Sequence, residues 1–140
     1  MVTHLRLGAL GALLLIPTLY CACIEWRKAR ETAMFACASS IHAALISTGA
    51  EGSINVPAMG ADWHVFSNLE KTSLLSVPSM SRRLDCHNFK TDDPHLHIAA
   101  RRLPQDQRTE VIVWFDGADG LAGTSDDVSS VPGAKVPPSP

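Results

Sequence analysis

The pattern of apolar and polar positions changes sharply along the first third of the chain. Residues 5–24 are almost wholly apolar, with Arg6 as their only charge. From Leu7 onward this block is just long enough to cross a bilayer core of about 30 Å as a helix. Cleavage as a signal peptide or as a lipoprotein signal fits the residues around Cys21 poorly. The pattern therefore predicts an N-terminal membrane anchor or signal segment over residues 1–24, most simply a retained anchor.

Residues 25–48 follow as an alanine-rich segment that contains no glycine or proline before Gly49. Alanine has the highest helix propensity, and apolar residues such as Cys37, Ala44 and Ile46 recur at roughly helical spacing. The pattern predicts an amphipathic helix that continues the anchor, with a bend near Pro17. Its apolar stripe is expected to pack on the domain that follows, on other copies of the protein, or on both.

Residues 49–140 are predicted to form a small α+β domain. Asp62 is a candidate cap for a short helix over residues 63–75, with Leu69 on its inward face. Two β-prone runs separated by a polar turn at 104–108 predict an antiparallel hairpin. The strands are predicted over residues 95–103 and 110–115. The expected fold class is thus α+β, with a long membrane-spanning helix, a short helix and an antiparallel β-hairpin or sheet.

The second predicted strand leads into an acidic loop, DGADGLAGTSDD, over residues 116–127. Three glycines let the backbone turn tightly, and four carboxylates crowded together repel one another unless a cation lies among them. Six to eight oxygen ligands are what Ca²⁺ prefers, although the spacing is not that of an EF-hand. A solvated turn is the alternative. The candidate Ca²⁺ ligands are Asp116, Asp119, Leu121, Thr124, Asp126 and Asp127.

The segment DGLAGTSDDV, residues 119–128, resembles the calcium loop near the C-terminus of type IV pilin-like proteins and major pseudopilins of type II secretion. The predicted order of an N-terminal membrane helix, a variable middle and a small antiparallel sheet is similar too. The resemblance implies a calcium-stabilised structural protein of a secretion or pilus system. It also implies a single pass through the inner membrane, a periplasmic C-terminal domain, and assembly with itself or with other pilin-like subunits through the N-terminal helix.

One feature of pilin-like precursors is absent from this chain. They carry a glutamate at the fifth position after the cleavage glycine, whereas the fifth residues after Gly8 and Gly11 are Leu13 and Ile16. An alternative function is therefore a membrane-anchored periplasmic binding module that does not polymerise. Basic residues flank the apolar block on both sides, so charge alone leaves the membrane orientation open.

A second group of residues with metal-binding side chains lies in LDCHNFKTDDPHLH, where Cys86, His87, His95 and His97 occur. One thiolate with imidazoles suits Zn²⁺ or copper, and a metal or thiol enzyme using Cys86, His95 and His97 is a further alternative. The spacing matches no known metal motif. We instead expect the two strand histidines on the polar face of an edge strand, and no enzymatic activity.

Charge and cysteine content narrow the partners. The formal net charge of −2 and the lack of a basic stripe exclude nucleic acid as an expected partner. Outside the apolar block the chain contains two cysteines, Cys37 and Cys86. They are expected either to form a disulfide, which requires an oxidising compartment, or to be small buried hydrophobes.

Overall fold

The structure, a computed structural model, describes residues 3–50, 61–87, 89–105, 108–135 and 137. In the first helix the side chains are described from Ile16 to Ser47. The elements follow in the order α1 (Thr3–Ala50), β1 (His64–Val65), α2 (Asn68–Leu75), α3 (Pro78–Ser81), β2 (Leu96–Arg102), β3 (Thr109–Phe115) and β4 (Val128–Ser129). The predicted α+β class, with a long N-terminal helix and an antiparallel sheet, is confirmed. Contacts divide the chain into two units, residues 1–32 and residues 33–140.

In the first unit, α1 runs through Pro17 and exposes large apolar side chains. Ile16, Leu19, Tyr20 and Trp26 are all more than 60% exposed. The guanidinium of Arg30 lies 5.8 Å from the centre of the Trp26 ring. Among the described residues, no helix combines the length and the apolar character needed to cross a membrane.

In the second unit, the C-terminal half of α1 contributes one face to the core. The predicted helix over residues 25–48 is confirmed. Its buried residues recur every three or four positions, which places them on one stripe. They are Met34, Cys37, Ala38, Ile41, Ala44 and Leu45. Ile46, expected on this stripe, is instead 52% exposed. Full burial of a side chain such as Ile41 contributes about 1.5–3 kcal/mol.

A four-stranded antiparallel sheet in the order β1-β2-β3-β4 completes this unit. The central hairpin of β2 and β3 confirms the predicted strands, although residues 106 and 107 of the turn lie outside the described residues. Alternate residues, among them Ile98 and Val113, pack in the core cluster that includes α1. Ala99, Ile112 and Trp114 form a second, smaller cluster. Because β2 lies between β1 and β3, the expectation of an edge strand was wrong.

The short helix begins later than predicted. Ser67, not Asp62, caps α2, and the Ser67 amide donates to Glu70 Oε2 at 2.8 Å in a capping box. Residues 64–65 form β1, which pairs with Ala99 and Ala100 of β2. Leu69, expected to face inward, is 82% exposed. The prediction failed here because the reciprocal cap satisfies two backbone donors, whereas Asp62 is followed by an aromatic and β-branched run that favours a strand.

The segment after α3 is fastened to α1 at three points. Cys37 and Cys86 form a disulfide, which settles the alternative left open by the sequence. The Asp85 amide donates to Ser40 Oγ at 3.0 Å, and Arg83 Nη1 donates to Ser47 Oγ at 2.7 Å. These contacts hold the connection between the helices and the sheet against the C-terminal half of α1.

Candidate functional site

The acidic loop connects β3 to β4, so the sheet fixes both of its ends. Positive φ angles of 69° at Gly120 and 86° at Gly123 reverse the chain direction within the loop. Glycine adopts this left-handed conformation without the steric cost that a Cβ brings. The pairing of Phe115 with Val128 closes the loop at its base. The predicted position of the loop, directly after a strand, is therefore correct.

Oxygen atoms from the loop surround the hydroxyl group of Thr124. Its Oγ1 lies 2.6 Å from Asp126 Oδ1, 3.3 Å from Asp119 Oδ1 and 3.4 Å from Asp127 Oδ1. The Leu121 carbonyl oxygen lies 3.0 Å from the same hydroxyl. A hydroxyl has one hydrogen to donate, so it can satisfy only one of these four acceptors at a time. Five of the six predicted ligand residues thus meet around one atom.

Backbone amides also donate hydrogen bonds to these carboxylates and so offset part of their mutual repulsion. The Asp119 amide donates to Asp126 Oδ2 at 3.2 Å, and the Gly117 and Gly123 amides donate to the two oxygens of Asp127 at 3.2 and 2.7 Å. The hydrogen bond from Thr124, followed by that from the Asp119 amide, lowers the pKa of Asp126. Because the folded-state pKa is lowered, this stabilisation is present above the carboxyl's ordinary value of 3.8 and disappears as the pH falls below it.

Asp116, the sixth predicted ligand, lies apart from this group. Its side chain is buried, and its Oδ1 lies 2.7 Å from His97 Nε2. Its Oδ2 lies 3.0 Å from His95 Nδ1. The His97 ring in turn stacks on the Trp114 ring, with centroids 5.2 Å apart. Both oxygens of Asp116 are therefore engaged by imidazoles, and this aspartate anchors the loop entrance to β2.

The residues of the acidic loop fit a hard cation in kind, since every candidate ligand is an oxygen. Carboxylates of Asp119, Asp126 and Asp127 would hold the ion, with carbonyls of Leu121 and Thr124 beside them. As placed in the described residues, no group of three or more Asp, Glu, His or Cys side chains has the geometry to hold a metal ion. The loop therefore brings together oxygen atoms of the kind that Ca²⁺ prefers. In the structure their hydrogen-bond partners are the loop's own backbone amides and the Thr124 hydroxyl.

The alternative site with Cys86 and the histidines is not brought together. Cys86 is joined to Cys37, so it has no free thiol. His87 Nε2 lies 3.2 Å from Asp85 Oδ1, in a pair whose side chains are 88% and 67% exposed. His95 and His97 share a strand face as predicted, but their partner is Asp116.

Lys71, which the sequence does not single out, is a buried cation close to this cluster. Its Nζ donates to the carbonyl oxygens of Asp93 and Leu96, both at 2.6 Å. Burial lowers the pKa of Lys71, and the charges of Asp93, Asp92 and Asp116 oppose that shift. The one sequence signal is that Lys71 precedes Leu75 by four residues and so shares its helix face. Lys71 links α2 to the start of β2.

Comparisons with protein-family models, with curated proteins and with solved structures found no match to this chain.

Replacing Gly117 with alanine tests how closely the loop packs. A Cβ at this position would lie 2.5 Å from the Asp126 carbonyl oxygen and would also meet its carboxylate. We expect Gly117→Ala to destabilise the fold by about 1–3 kcal/mol, the usual cost of overpacking. It should also displace the Asp126 carboxylate, so the Asp119 amide hydrogen should exchange faster with solvent.

Gly120→Ala is the matched control for this substitution. A Cβ at Gly120 has no atom within 4 Å, so the variant strains the backbone at φ +69° without a clash. The Asp119 amide should exchange in Gly120→Ala at the rate found in the parent protein. Equal exchange of that amide in both variants would contradict the packing described here.

Proposed function

We propose that this chain is a pilin-like, pseudopilin-type structural protein of a secretion or pilus system. In this proposal the N-terminal segment anchors it in the inner membrane, the unit of residues 33–140 lies in the periplasm, and the loop binds Ca²⁺. The observation that carries the proposal is the convergence of Asp119, Asp126 and Asp127 on the Thr124 hydroxyl. Three carboxylates held this close are better neutralised by a divalent cation than by one hydroxyl hydrogen.

The disulfide supports the proposed compartment. Disulfides form and persist in oxidising environments such as the bacterial periplasm and are rare in the cytosol. The Cys37–Cys86 bond joins the helix to the segment before the sheet, within the unit assigned to the periplasm. Cys21 and Cys23, which lie in the apolar block, are free.

The order of the elements also supports a pilin-like function. The C-terminal half of α1 packs in one core with an antiparallel sheet, and the acidic loop lies between the last two strands. This arrangement is similar to that implied by the resemblance of DGLAGTSDDV to pilin-like calcium loops. A bound Ca²⁺ would supply positive charge that cross-links the two ends of the loop. The chain's own residues would provide the carboxylate and carbonyl oxygens.

Calcium should raise the thermal stability of the protein. The test uses the full chain in detergent, because Cys37, Ile41 and Leu45 of α1 belong to the core and cannot be removed. At a hundred times its Kd, a ligand that binds only the folded state adds about 2.7 kcal/mol to the free energy of unfolding. Melting measured with Ca²⁺ and with a chelator should differ accordingly.

The calcium-dependent shift should disappear in Asp119→Asn, because that variant removes one carboxylate from the loop. Asp92→Asn removes an exposed carboxylate elsewhere and should keep the full shift. If the parent melts at the same temperature with Ca²⁺ and with chelator, the loop does not bind calcium.

The periplasmic location can be tested by labelling. Ser73 is exposed on α2. The variant Ser73→Cys should therefore react with a membrane-impermeant thiol reagent that is added to the medium around intact spheroplasts, where it reaches only the outer face of the inner membrane. The test requires the background Cys21→Ser/Cys23→Ser, which removes the two free thiols. Labelling that occurs only after lysis would place this unit in the cytoplasm and would reject the proposal.

A second candidate function is a periplasmic binding module that does not polymerise. It is favoured by Leu13 and Ile16, which occupy the positions where pilin-like precursors carry a glutamate. Direct sequencing of the mature N-terminus, together with electron microscopy of the overproduced protein, separates the two functions. Cleavage after Gly8 or Gly11 with filaments supports the structural protein, whereas an uncleaved anchor without filaments supports the binding module.

A further inference from the structure

Within the described residues, the first half of β3 has one edge without a neighbouring strand. On its other edge β3 pairs with β2 along its whole length, whereas β4 pairs only with Trp114 and Phe115. The Ser130 amide extends the contact with β4 by one hydrogen bond, since it donates to the Val113 carbonyl at 2.8 Å. The chain then leaves the sheet, and Ala134 packs against the smaller cluster instead. The edge of β3 before Val113 is therefore open to a further strand.

The backbone groups of Thr109 and Val111 point towards this open edge. In an antiparallel sheet, the amide and the carbonyl of one residue point to the same side, and successive residues alternate. Because Val113 bonds to Ser130 on the open side, Val111 and Thr109, two and four residues earlier, face that side as well. Among the described residues, no hydrogen bond engages their amides or carbonyls there. Two amides and two carbonyls are thus available for strand pairing.

This open edge lies along a groove of about 680 Å³ in the unit of residues 33–140. Thr109 and Val111 line the groove, together with Ile46 of α1 and with Val131 and Pro137 of the C-terminal tail. Val111 is only 9% exposed, so water has little access to its backbone groups. An unpaired backbone amide or carbonyl in such a position is unfavourable, and a partner strand would remove that cost.

The side chains around the groove indicate which kind of strand it suits. Arg101 is already paired with Glu110, since its Nη2 lies 2.6 Å from Glu110 Oε2. Lys135 is exposed at the groove and has no acidic partner among the described residues. Ile46 and Val131 are partly exposed and offer apolar contacts. The groove therefore suits a segment with apolar side chains at alternate positions and an acidic residue for Lys135.

A single extended peptide fits this edge better than a second copy of the chain does. In a second copy the same edge of β3 is recessed in the same groove, so the two edges could not approach to hydrogen-bonding distance. A peptide carries no sheet behind it, and its side chains alternate between the two faces of the sheet it joins. In such strand addition, main-chain hydrogen bonds provide affinity and contacts of alternate side chains provide specificity.

We propose that the groove binds an extended, acidic segment of a partner protein, which joins the sheet as a strand beside residues 109–111. The backbone of this segment pairs with the free amides and carbonyls of Thr109 and Val111. One of its apolar side chains contacts Ile46, and its carboxylate pairs with Lys135. The inference goes beyond the proposed function and does not depend on calcium binding, because no residue of the groove belongs to the acidic loop.

A fluorescein-labelled heptapeptide in which valine and threonine alternate, with an aspartate at each end, is the probe for this contact. Amide hydrogen exchange, measured by NMR on the full chain in detergent, reports the strand pairing. At saturating peptide, exchange of the Val111 amide should slow several-fold because the amide gains an acceptor. The Ile112 amide points towards β2 and should exchange as it does without peptide.

Thr109→Pro removes one of the pairing amides from the protein. Proline is tolerated at the first residue of a strand where its nitrogen faces no ladder, so the variant should fold, and unchanged exchange of the Ile112 amide checks this. Fluorescence anisotropy should show that Thr109→Pro binds the peptide several-fold more weakly than the parent does. Thr109→Ala keeps the amide and is the matched control, so it should bind as the parent does.

Two further variants test the side-chain contacts. Ile46→Asp changes a side chain that is 52% exposed and should weaken binding several-fold, whereas Leu69→Asp on α2 should not. Lys135→Glu should weaken binding of the probe. It should have no such effect on the same peptide with asparagine in place of both aspartates, because that peptide carries no carboxylate side chain.

Three results would overturn the inference. They are the absence of saturable binding, equal binding by Thr109→Pro and the parent, and exchange of the Val111 amide that saturating peptide leaves unchanged. A fourth concerns the occupant. If exchange of the Val111 amide slows as the protein concentration rises without peptide, a second copy occupies the edge and the proposed partner segment is wrong.

Discussion

Removing the disulfide is expected to lower the melting temperature by roughly 15–30 °C. Cys37 and Cys86 are 49 residues apart, and closing a loop of that size removes about 4 kcal/mol of chain entropy from the unfolded state in the usual treatment. For a unit of about a hundred residues, each kcal/mol corresponds to roughly 4–8 °C. Thermal unfolding of Cys37→Ala in detergent, compared with the parent protein, measures the effect.

The size of this effect should depend on the bond and not on the two side chains separately. Cys37→Ala/Cys86→Ala should therefore lose little more than either single variant, because both single variants already break the same link. A reductant should lower the melting temperature of the parent to that of the variants and leave theirs unchanged. Cys21→Ser/Cys23→Ser, which alters only the free cysteines, should keep the response to reductant. A parent protein that melts identically with and without reductant would show that the bond contributes nothing.

Local sequence signals were sufficient for the parts of the fold that depend on near neighbours. The alanine-rich residues 25–48 have a high helix propensity, and the β-branched run before Asp116 can hardly be anything but a strand. The buried stripe of α1 was harder to predict, because alanines occupy exposed positions such as Ala36 and Ala43 as well as buried ones such as Ala38. Met34 and Ile41 face the core, whereas Ile46 does not. A single sequence of small residues offers several faces of similar hydrophobicity.

The two parts of the candidate site, the cluster around Thr124 and the contacts of Asp116, also differ in whether near neighbours in the sequence determine them. The contacts of Asp119 and Asp126 around Thr124 lie within one loop, so their meeting follows from the short spacing and the glycines. The contact between Asp116 and His95 depends on the register of β2 against β3. The pairing of Leu96 with Phe115 sets that register, and it places the preceding histidine beside the following aspartate. Moving the register by one residue would turn these side chains to opposite faces, and nothing in the local pattern selects between the two.

The disulfide and the buried Lys71 also depend on distant parts of the chain. The sequence alone did not decide whether Cys37 and Cys86 form a disulfide, because their meeting requires the segment after α3 to lie against α1. Ser40 and Ser47 fix that segment through single hydrogen bonds. Such bonds between distant residues have no signature in composition or periodicity.

Asp116→Ala is expected to destabilise the protein by about 3–5 kcal/mol, the second large effect. The buried carboxylate has one imidazole on each oxygen, and hydrogen bonds to a charged group contribute about 1.5–3 kcal/mol each. Asp116→Asn keeps the shape but has only one acceptor oxygen, so it should lose about half as much. The matched control is Asp85→Ala, which removes the exposed partner of His87 and should cost at most about 1 kcal/mol. Denaturant unfolding of the three variants ranks these costs. If Asp116→Ala is no less stable than Asp85→Ala, the contacts of Asp116 with His95 and His97 do not hold the loop entrance to the sheet.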